Sequence, residues 1–449
     1  MSCNMRILLF AAAALLAVGP KTYAAEVTFY EDALPILQSH CQGCHHPGEG
    51  TPMSLLNYKE VLPWAKAIRE AVLLKKMPPW YAEKGVGKKF SNDRSLSQEE
   101  IGTLVAWADT GAKKGDLAAA PPPAKFADSW SIGKPDLIVR PPKPYRIPSK
   151  GVIEYTYVIV PSGFTEDKWV SKVELKPSKR EHVHHLIAWV RPPGSSYFEE
   201  YSVGDFFVPS VKIRERRREG EGKFERRQLL ASYAPGGIPN RLEAGQARLI
   251  PAGSDFIFEL HYTANGTAGT DRPQLGLVFS DGPPRQRVFT TAALNSKFVI
   301  PPNASNHRVE ASLTMSAKAI LLDMMPHMHL RGKSFEYRAV YPNGKSELLL
   351  RVPKYNFNWQ LSYVLEEPLT LPKGTRIECT AYFDNSWSNP HNPDPTQEVR
   401  WGDQNWEEMM IGFISLAIDA DQNPESVFVS NKPVNKGTPA VTGGNIPAM

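Results

Sequence analysis

The chain has 449 residues, of which 42% are hydrophobic and 22% are charged. This length exceeds that of one compact domain, and the composition excludes both a membrane protein of many spans and a disordered chain. The 52 basic and 47 acidic residues leave a net charge of +5, which gives no reason to expect a nucleic-acid partner. With four cysteines in the whole sequence, a fold held together by disulfides is excluded.

Residues 1–24 have the pattern of an export signal. Arg6 precedes an apolar run at 7–18, and small residues surround a cleavage position after Ala24. The run is too short for a helix that crosses the roughly 30 Å hydrocarbon core of a membrane. We therefore expect a periplasmic or secreted protein without a permanent membrane span.

Residues 25–115 are predicted to form a small all-α domain with a haem site. A short helix at 28–40 leads into a Cys-x-x-Cys-His motif, formed by Cys41, Cys44 and His45. Cysteines three residues apart lie on one face of a helical turn, so both thiols can bond a porphyrin while the histidine binds its iron. A redox dithiol would not need the histidine, and a zinc site would need a second cysteine pair. The motif therefore predicts a covalently bound c-type haem.

The sixth ligand of that iron is expected to be a sulfur or a second histidine. Met77 follows an amphipathic helix predicted at 58–76 and precedes two prolines, which stop the helix and fix the loop. Met53 is the competing candidate, and the loop position favours Met77.

A further helix is predicted after these prolines. Ser97 and Glu100 form a capping box, an apolar face follows, and Gly111 ends the helix. Helices around a Cys-x-x-Cys-His motif and a Met-Pro loop resemble a class I cytochrome c. A proline-rich linker is predicted after this domain, at 116–148.

After the linker the pattern changes to short strands and turns. The predicted strands include 152–160, 169–175, 184–190, 255–262, 274–279, 317–322, 334–341 and 346–352. A Pro-Asn-Gly turn separates the last two. These runs predict two all-β antiparallel sandwich domains in series, at 149–297 and 298–430, before a disordered tail at 431–449.

Histidines gather at three places in this β-rich part. The three groupings are His182, His184 and His185; then His261 at a strand end; then His327 and His329. For any single histidine, a structural role in the core or at the surface is the simpler interpretation. Three groupings in a sequence with 11 histidines instead favour metal binding.

The spacing of these histidines limits how they can share an ion. Side chains at i and i+2 of a strand lie on one face, so His327 and His329 can bind one metal without backbone distortion. Adjacent His184 and His185 need a twist, a bulge or the use of the ring nitrogen nearer the backbone. His182 with His184 is the geometrically simpler pair and stays an alternative.

The neighbouring residue types favour copper. Imidazole suits zinc, copper and iron alike, but no cysteine lies near the histidines in sequence, which disfavours structural zinc. Met409 and Met410 open the last predicted core strand, and a thioether is a soft donor that selects copper, especially Cu(I).

Together these motifs resemble the copper type II, ascorbate-dependent monooxygenases, the family of peptidylglycine α-hydroxylating monooxygenase and dopamine β-monooxygenase. The resemblance extends over about residues 150–420 and implies two tandem jelly-roll-like domains with one copper ion each. The implied ligands are His184, His185 and His261 for one ion, and His327, His329 and Met409 for the other.

The sequence also departs from that family. The disulfides of the family are absent, and Cys379 is expected to be a buried thiol. Met325 takes the place of an arginine that helps to hold the substrate carboxylate in the peptide-specific enzyme, and Phe413 takes the place of a tyrosine. We therefore expect a more apolar pocket and a substrate other than a peptidylglycine.

These features predict an exported copper monooxygenase that hydroxylates a C–H bond of a small organic substrate with O2. Copper at His327, His329 and Met409 would be the catalytic centre, and the haem would relay electrons from an external donor such as ascorbate, a quinol-linked protein or a cytochrome. The alternative is a non-hydroxylating haem and copper protein that transfers electrons or binds copper.

Overall fold

The computed structural model describes residues 26–430, apart from 48, 50, 52, 127–129, 211–212, 214–226, 236, 238 and 240–241. The predicted export signal at 1–24 and the predicted tail at 431–449 therefore lie outside the described residues. Within the described residues the chain is mostly β-sheet with few helices.

Four α-helices of the described chain lie before residue 110. They are α1 (Leu34–His40), α2 (Tyr58–Val61), α3 (Ala65–Leu73) and α4 (Gln98–Asp109), and a π-helical turn (Phe29–Ala33) precedes α1. Among the described residues no helix has the length and apolar character needed to cross a membrane.

The helix starts and breaks have local causes. The predicted capping box is present, because the Ser97 side chain accepts from the backbone N–H of Glu100 and the Glu100 carboxylate accepts from that of Ser97. The single helix predicted at 58–76 is instead α2 and α3, separated by a 3-10 turn that contains Pro63, a residue without a backbone N–H. The helices pack around Phe29, Leu37 and other buried apolar residues.

The β-strands up to residue 300 include the two that contain His184, His185 and His261. They are β1 (Leu137–Val139), β2 (Tyr145–Ile147), β3 (Thr156–Pro161), β4 (Lys168–Lys176), β5 (Val183–Arg191), β6 (Phe206–Phe207), β7 (Gln228–Tyr233), β8 (Gln246–Ile250), β9 (Asp255–Tyr262), β10 (Gly269–Asp271), β11 (Gln274–Phe279), β12 (Gln286–Leu294) and β13 (Val299–Ile300).

The remaining strands include the one that ends at His327. They are β14 (His307–Met315), β15 (Ala319–His327), β16 (Gly332–Val340), β17 (Ser346–Val352), β18 (Tyr363–Leu371), β19 (Arg376–Phe383), β20 (Val399–Arg400), β21 (Ile411–Asp419) and β22 (Phe428–Ser430).

Most of these strands form three large sheets. One five-stranded sheet has the order β6-β3-β9-β5-β7, and another has the order β17-β16-β19-β14-β22. We call residues 149–297 and 298–430 the first and second halves of the β-rich part. An eight-stranded sheet, β1-β11-β4-β8-β12-β21-β15-β18, runs through both halves. Each five-stranded sheet contributes apolar side chains to a buried cluster that it shares with strands of the long sheet. The β-rich part is thus layered, with strands of both halves in one continuous sheet.

The join between the halves lies at β12. This strand comes before the boundary predicted at residue 297, yet it pairs along its whole length with β21 and only briefly with β8. The domain boundaries themselves stay predictions.

The helical part is attached to the β-rich part by the segment 81–93. Phe90 forms a bridge with Leu365 of β18, and the backbone N–H of Ser91 donates to the carbonyl of Val364 at 2.9 Å. Lys88 donates its backbone N–H to Leu349 of β17 at 2.8 Å. The segment therefore lies along the edges of two strands of the second half.

Candidate metal centres

His184, His185 and His261 converge in the first half, and we call them the first histidine group. Their candidate ligand atoms all lie within 4.8 Å of one another. The Nδ1 atom of His185 is 3.0 Å from that of His184 and 3.4 Å from that of His261. With metal–imidazole bonds of about 2.0–2.1 Å, two nitrogens on one tetrahedral ion lie about 3.4 Å apart. The separations of His185 from His184 and from His261 are therefore close to the spacing that one metal ion requires.

A bulge in β5 brings the two adjacent histidines together. Val183 pairs with Tyr262 and His185 pairs with His261, so His184 is the extra residue of the strand. Such a residue lies outside the regular alternation of faces, which frees its side chain to turn towards its neighbour. The bulge and the inward-facing Nδ1 atoms are two of the three arrangements that we expect to let adjacent histidines share an ion.

His182 lies elsewhere. Its side chain is buried, its Nδ1 atom has no hydrogen-bond partner, and its Nε2 atom packs against the backbone of Gly269. It is not a member of the histidine group found among the described residues. The close approach to a glycine fixes the ring between β5 and β10 instead.

Burial keeps the first histidine group neutral. It lowers the pKa of His184, and it lowers the pKa of His185 and His261 well below their ordinary values. Neighbouring imidazoles act on His185 and His261 in the same direction. Neutral imidazole is the form that binds metals, so the group is ready to accept an ion at neutral pH.

His327, His329 and Met409 form the second group. The two rings lie 5.3 Å apart between centroids. The Nδ1–H of His327 donates to Oε1 of Gln360 at 2.6 Å, and the Nδ1–H of His329 donates to the backbone carbonyl of Glu407 at 3.2 Å. Each bond leaves the Nε2 lone pair available, an arrangement typical of metal-binding histidines. Burial lowers the pKa of His327 to about 4 and is the main cause that lowers the pKa of His329 to about 3.

The two candidate methionines differ in their surroundings. Met410 is fully buried in the apolar core of the second half. Met409 lines a small cavity of about 70 Å³, together with His327 and His329. Of the two, Met409 is therefore the thioether that shares a space with the histidines.

The two groups lie side by side. His185 of the first group lines the same small cavity as the second group. The Phe357 ring stands between them, with its centroid 4.9 Å from that of His184 and 6.1 Å from that of His329. Ions in the two groups would therefore be close neighbours.

Met325 and Phe413 lie where the small cavity meets a larger one. Both residues, with Gln360, line the small cavity and a neighbouring cavity of about 590 Å³. The Phe413 ring is 6.2 Å from that of His327. The positions at which the sequence departs from the resembled family thus give an apolar wall beside the second group.

The Cys-x-x-Cys-His motif forms a single helical turn. The backbone N–H groups of Cys44 and His45 both donate to the carbonyl of Cys41, at 3.1 and 3.0 Å, which forms a helical turn. Both thiols are free, and His45 Nδ1 is buried without a hydrogen-bond partner. Burial raises the pKa of Cys41 to about 12 and is the main cause that raises the pKa of Cys44.

The two candidates for the sixth haem ligand lie in different surroundings. Met53 packs against the apolar cluster that also contacts Cys41, and its backbone is hydrogen-bonded to His45. Met77 is half-buried and does not belong to this cluster as described. Of the two, Met53 is therefore the one with a described contact to the motif.

Several residues around the sites have no signature in the sequence. Asn358 contacts His184, Asn405 contacts His261, and Gln360 holds His327. All three lie in irregular loops, where amide side chains are common for many reasons. Of these three residues only Asn405 lies close in sequence to a predicted ligand, four residues before Met409. A search of the sequence around the ligands would therefore have found it and missed the other two.

Comparisons with known proteins do not assign the chain to a family. No family model matches it, and no curated protein is significantly similar to it. Among solved structures, the VP2 subviral particle of infectious bursal disease virus matches with 8% identity and a TM-score of 0.20, over 62% of this chain and 60% of that one. A structure of the Gt strain of the same virus matches with 7% identity and a TM-score of 0.20, over 71% and 79%. Similarity at this level assigns neither a fold nor a function.

Proposed function

We propose that the protein is an exported haem- and copper-containing monooxygenase that hydroxylates a C–H bond of a small organic substrate with O2. The observation that carries this proposal is that two groups of candidate metal ligands lie beside one small cavity, which His185, His327, His329 and Met409 line. In this proposal residues 25–115 are a cytochrome c domain, and 149–297 and 298–430 are two jelly-roll-like copper domains.

The donor sets suit different tasks. Copper and haem would supply the redox chemistry with O2, which protein side chains cannot perform. His184, His185 and His261 offer three nitrogens, a set that suits an electron-storing ion. His327, His329 and Met409 offer two nitrogens and a soft sulfur, which favours the reduced ion and leaves room for a further ligand.

The larger cavity supports a substrate site beside the second group. Its volume of about 590 Å³ falls within the range typical of small-molecule pockets. Met325 and Phe413 give it an apolar wall next to His327. Apolar walls bind hydrocarbon groups and exclude water, which fits a substrate presented by a C–H bond.

Contacts between the helical and β-rich parts support an electron relay. Glu49, four residues after His45, forms a salt bridge with Arg180 at the turn that leads into β5. On another side, the Tyr81 hydroxyl contacts Asn356, which lies in the loop beside both histidine groups. The first contact joins the segment after the Cys-x-x-Cys-His motif to the turn before β5, the strand that contains His184 and His185.

Metal analysis followed by oxygen labelling tests this function. We expect one haem and two copper ions per chain, and ¹⁸O from labelled O2 in the product when ascorbate and a panel of small apolar substrates are supplied. The Met409→Ala variant should lose product formation while its haem is still reduced. Unchanged product formation in this variant would contradict the proposal, and bound copper without any labelled product would favour the non-hydroxylating alternative.

A further inference from the structure

The outer nitrogens of the first histidine group are held from the other half of the molecule. Nε2 of His184 lies 3.3 Å from Oδ1 of Asn358, and Nε2 of His261 lies 3.3 Å from Nδ2 of Asn405. His184 and His261 belong to β5 and β9, whereas Asn358 lies in the loop 353–362 between β17 and β18, and Asn405 precedes β21.

The contact with Asn358 fixes the form of the His184 ring. An amide oxygen accepts hydrogen bonds and cannot donate them, so Nε2 of His184 carries the proton and Nδ1 keeps its lone pair. That lone pair is on the atom that lies 3.0 Å from Nδ1 of His185. Phe357 adds a stacking contact, with its ring 4.9 Å from that of His184 and nearly parallel to it.

Asn405 contacts His261 with the opposite polarity, because its Nδ2–H donates to Nε2 of His261 and the proton of the neutral ring is then on Nδ1. The Asn405 side chain also accepts a hydrogen bond from the Tyr155 hydroxyl at 2.9 Å, and the Tyr155 ring stacks on His261 at 4.3 Å. His261 is therefore enclosed by one residue of its own half and one of the other half.

The 353–362 loop also holds the second group. Gln360 accepts from His327, and the Tyr355 hydroxyl bonds both the N–H and the carbonyl of Met328, at 3.1 and 2.8 Å. One loop of ten residues thus contacts both histidine groups.

We propose that Asn358 is a positioning residue that completes the first metal site from the opposite half, so that tight copper binding by the first histidine group requires the 353–362 loop to be closed over it. This inference rests on the proposed function, because it takes copper to be the ion of that group. Hydrogen-bond partners behind a metal ligand typically change metal affinity 10- to 100-fold when removed.

The test uses the full chain with His327→Ala and His329→Ala, so that copper binds at the first histidine group alone. Cu(I) affinity is measured by competition with a chromophoric chelator, and the Cu(II) spectrum is recorded by electron paramagnetic resonance. Asn358→Leu removes the acceptor oxygen and is expected to weaken binding about 10- to 100-fold. Asn358→Asp keeps an acceptor oxygen and should restore the affinity and the spectrum of the parent.

Asn405→Leu is the matched control, because it removes an amide that donates to the histidine ring and does not accept from it, and it should not weaken binding. Hydrogen exchange adds a readout of closure, because copper should slow amide exchange in 353–362 in the parent and much less in Asn358→Leu. Parent-like affinity in Asn358→Leu would overturn the inference while leaving the proposed function intact. A parent that binds no copper at all would overturn both.

Discussion

At the scale of single residues, the two histidine groups differ in the ring nitrogen that faces inward. The first group turns Nδ1 inward, whereas each histidine of the second group uses Nδ1 to donate a hydrogen bond and keeps Nε2 available. The rings of His185 and His261 project from opposed residues of β5 and β9, and His184 is the adjacent bulge residue, so the ring atoms nearer the backbone are the ones that meet. In the second group His327 ends β15 and His329 follows that strand. Their Nδ1 atoms donate hydrogen bonds, so Nε2, which extends further from the backbone, is the atom left to bind a metal.

Cys379 is a core residue of the second half. It is fully buried, and burial raises the pKa of its thiol well above the ordinary value. A thiol in such surroundings is inert. This agrees with its expected role as a buried thiol.

Gly412 allows Cys379 to pack against β21. A Cβ atom at this glycine would lie 2.5 Å from the Cys379 sulfur and 3.1 Å from the Tyr337 ring. We expect Gly412→Ala to lower the free energy of unfolding by about 1–3 kcal/mol, measured by urea denaturation, because the core has no room for another methyl group.

Adding Cys379→Ala to that variant provides the control. Because the smaller side chain vacates the space, the double variant should lose less stability than the sum of the two single variants. Strict additivity would mean that the two residues do not compete for this space.

At the scale of elements, the 81–93 segment joins the helical part to the second half. Gly87 lies against β17, and a Cβ atom there would be 2.5 Å from the carbonyl oxygen of Leu349. Glu83 and Arg351 form an ion pair at 3.1 Å at the start of the same segment. The attachment is thus built from backbone contact, which a side chain at Gly87 would block.

Gly85 offers a matched control for this contact. Both glycines have positive φ, 75° at Gly85 and 77° at Gly87, but a Cβ atom at Gly85 would meet nothing within 4 Å. Both alanine variants therefore carry similar backbone strain, of about 1–2 kcal/mol. We expect Gly87→Ala to lose about 1–3 kcal/mol more in urea denaturation, with faster hydrogen exchange across 81–93. Equal losses in the two variants would show that the segment is not held against β17.

Regular elements followed the sequence pattern closely. The strands predicted at 255–262, 274–279 and 346–352 have the same bounds as β9, β11 and β17, because turn residues bound them on both sides. The strand predicted at 317–322 is β15, which continues through Pro326 to His327. A proline usually marks the end of a strand, yet β15 stays paired with β21 beyond Pro326.

Features that depend on distant contacts were not predictable. The bulge at His184 is defined by the register of β5 against β9, which lies more than seventy residues away in sequence. The pairing of β12 with β21 likewise joins segments that no local pattern connects. The loops that hold the histidines lack periodicity, so the sequence predicted the ligands but not the amides that orient them.

At the scale of the whole molecule, all three parts of the chain meet around the histidines. The first half supplies His184, His185 and His261, and the second half supplies the loop that covers them. The helical part reaches the same loop through Tyr81. A chain organised in this way needs all its parts in place before the sites are complete.

The most direct test of this account is copper X-ray absorption on the full chain loaded with two equivalents of Cu(I). The account predicts imidazole nitrogen around both ions and a sulfur neighbour of one of them. That sulfur should vanish in Met409→Ala and persist in Met410→Leu, since Met410 packs in the core. A spectrum without sulfur in the parent, or with the same sulfur after Met409→Ala, would contradict the account.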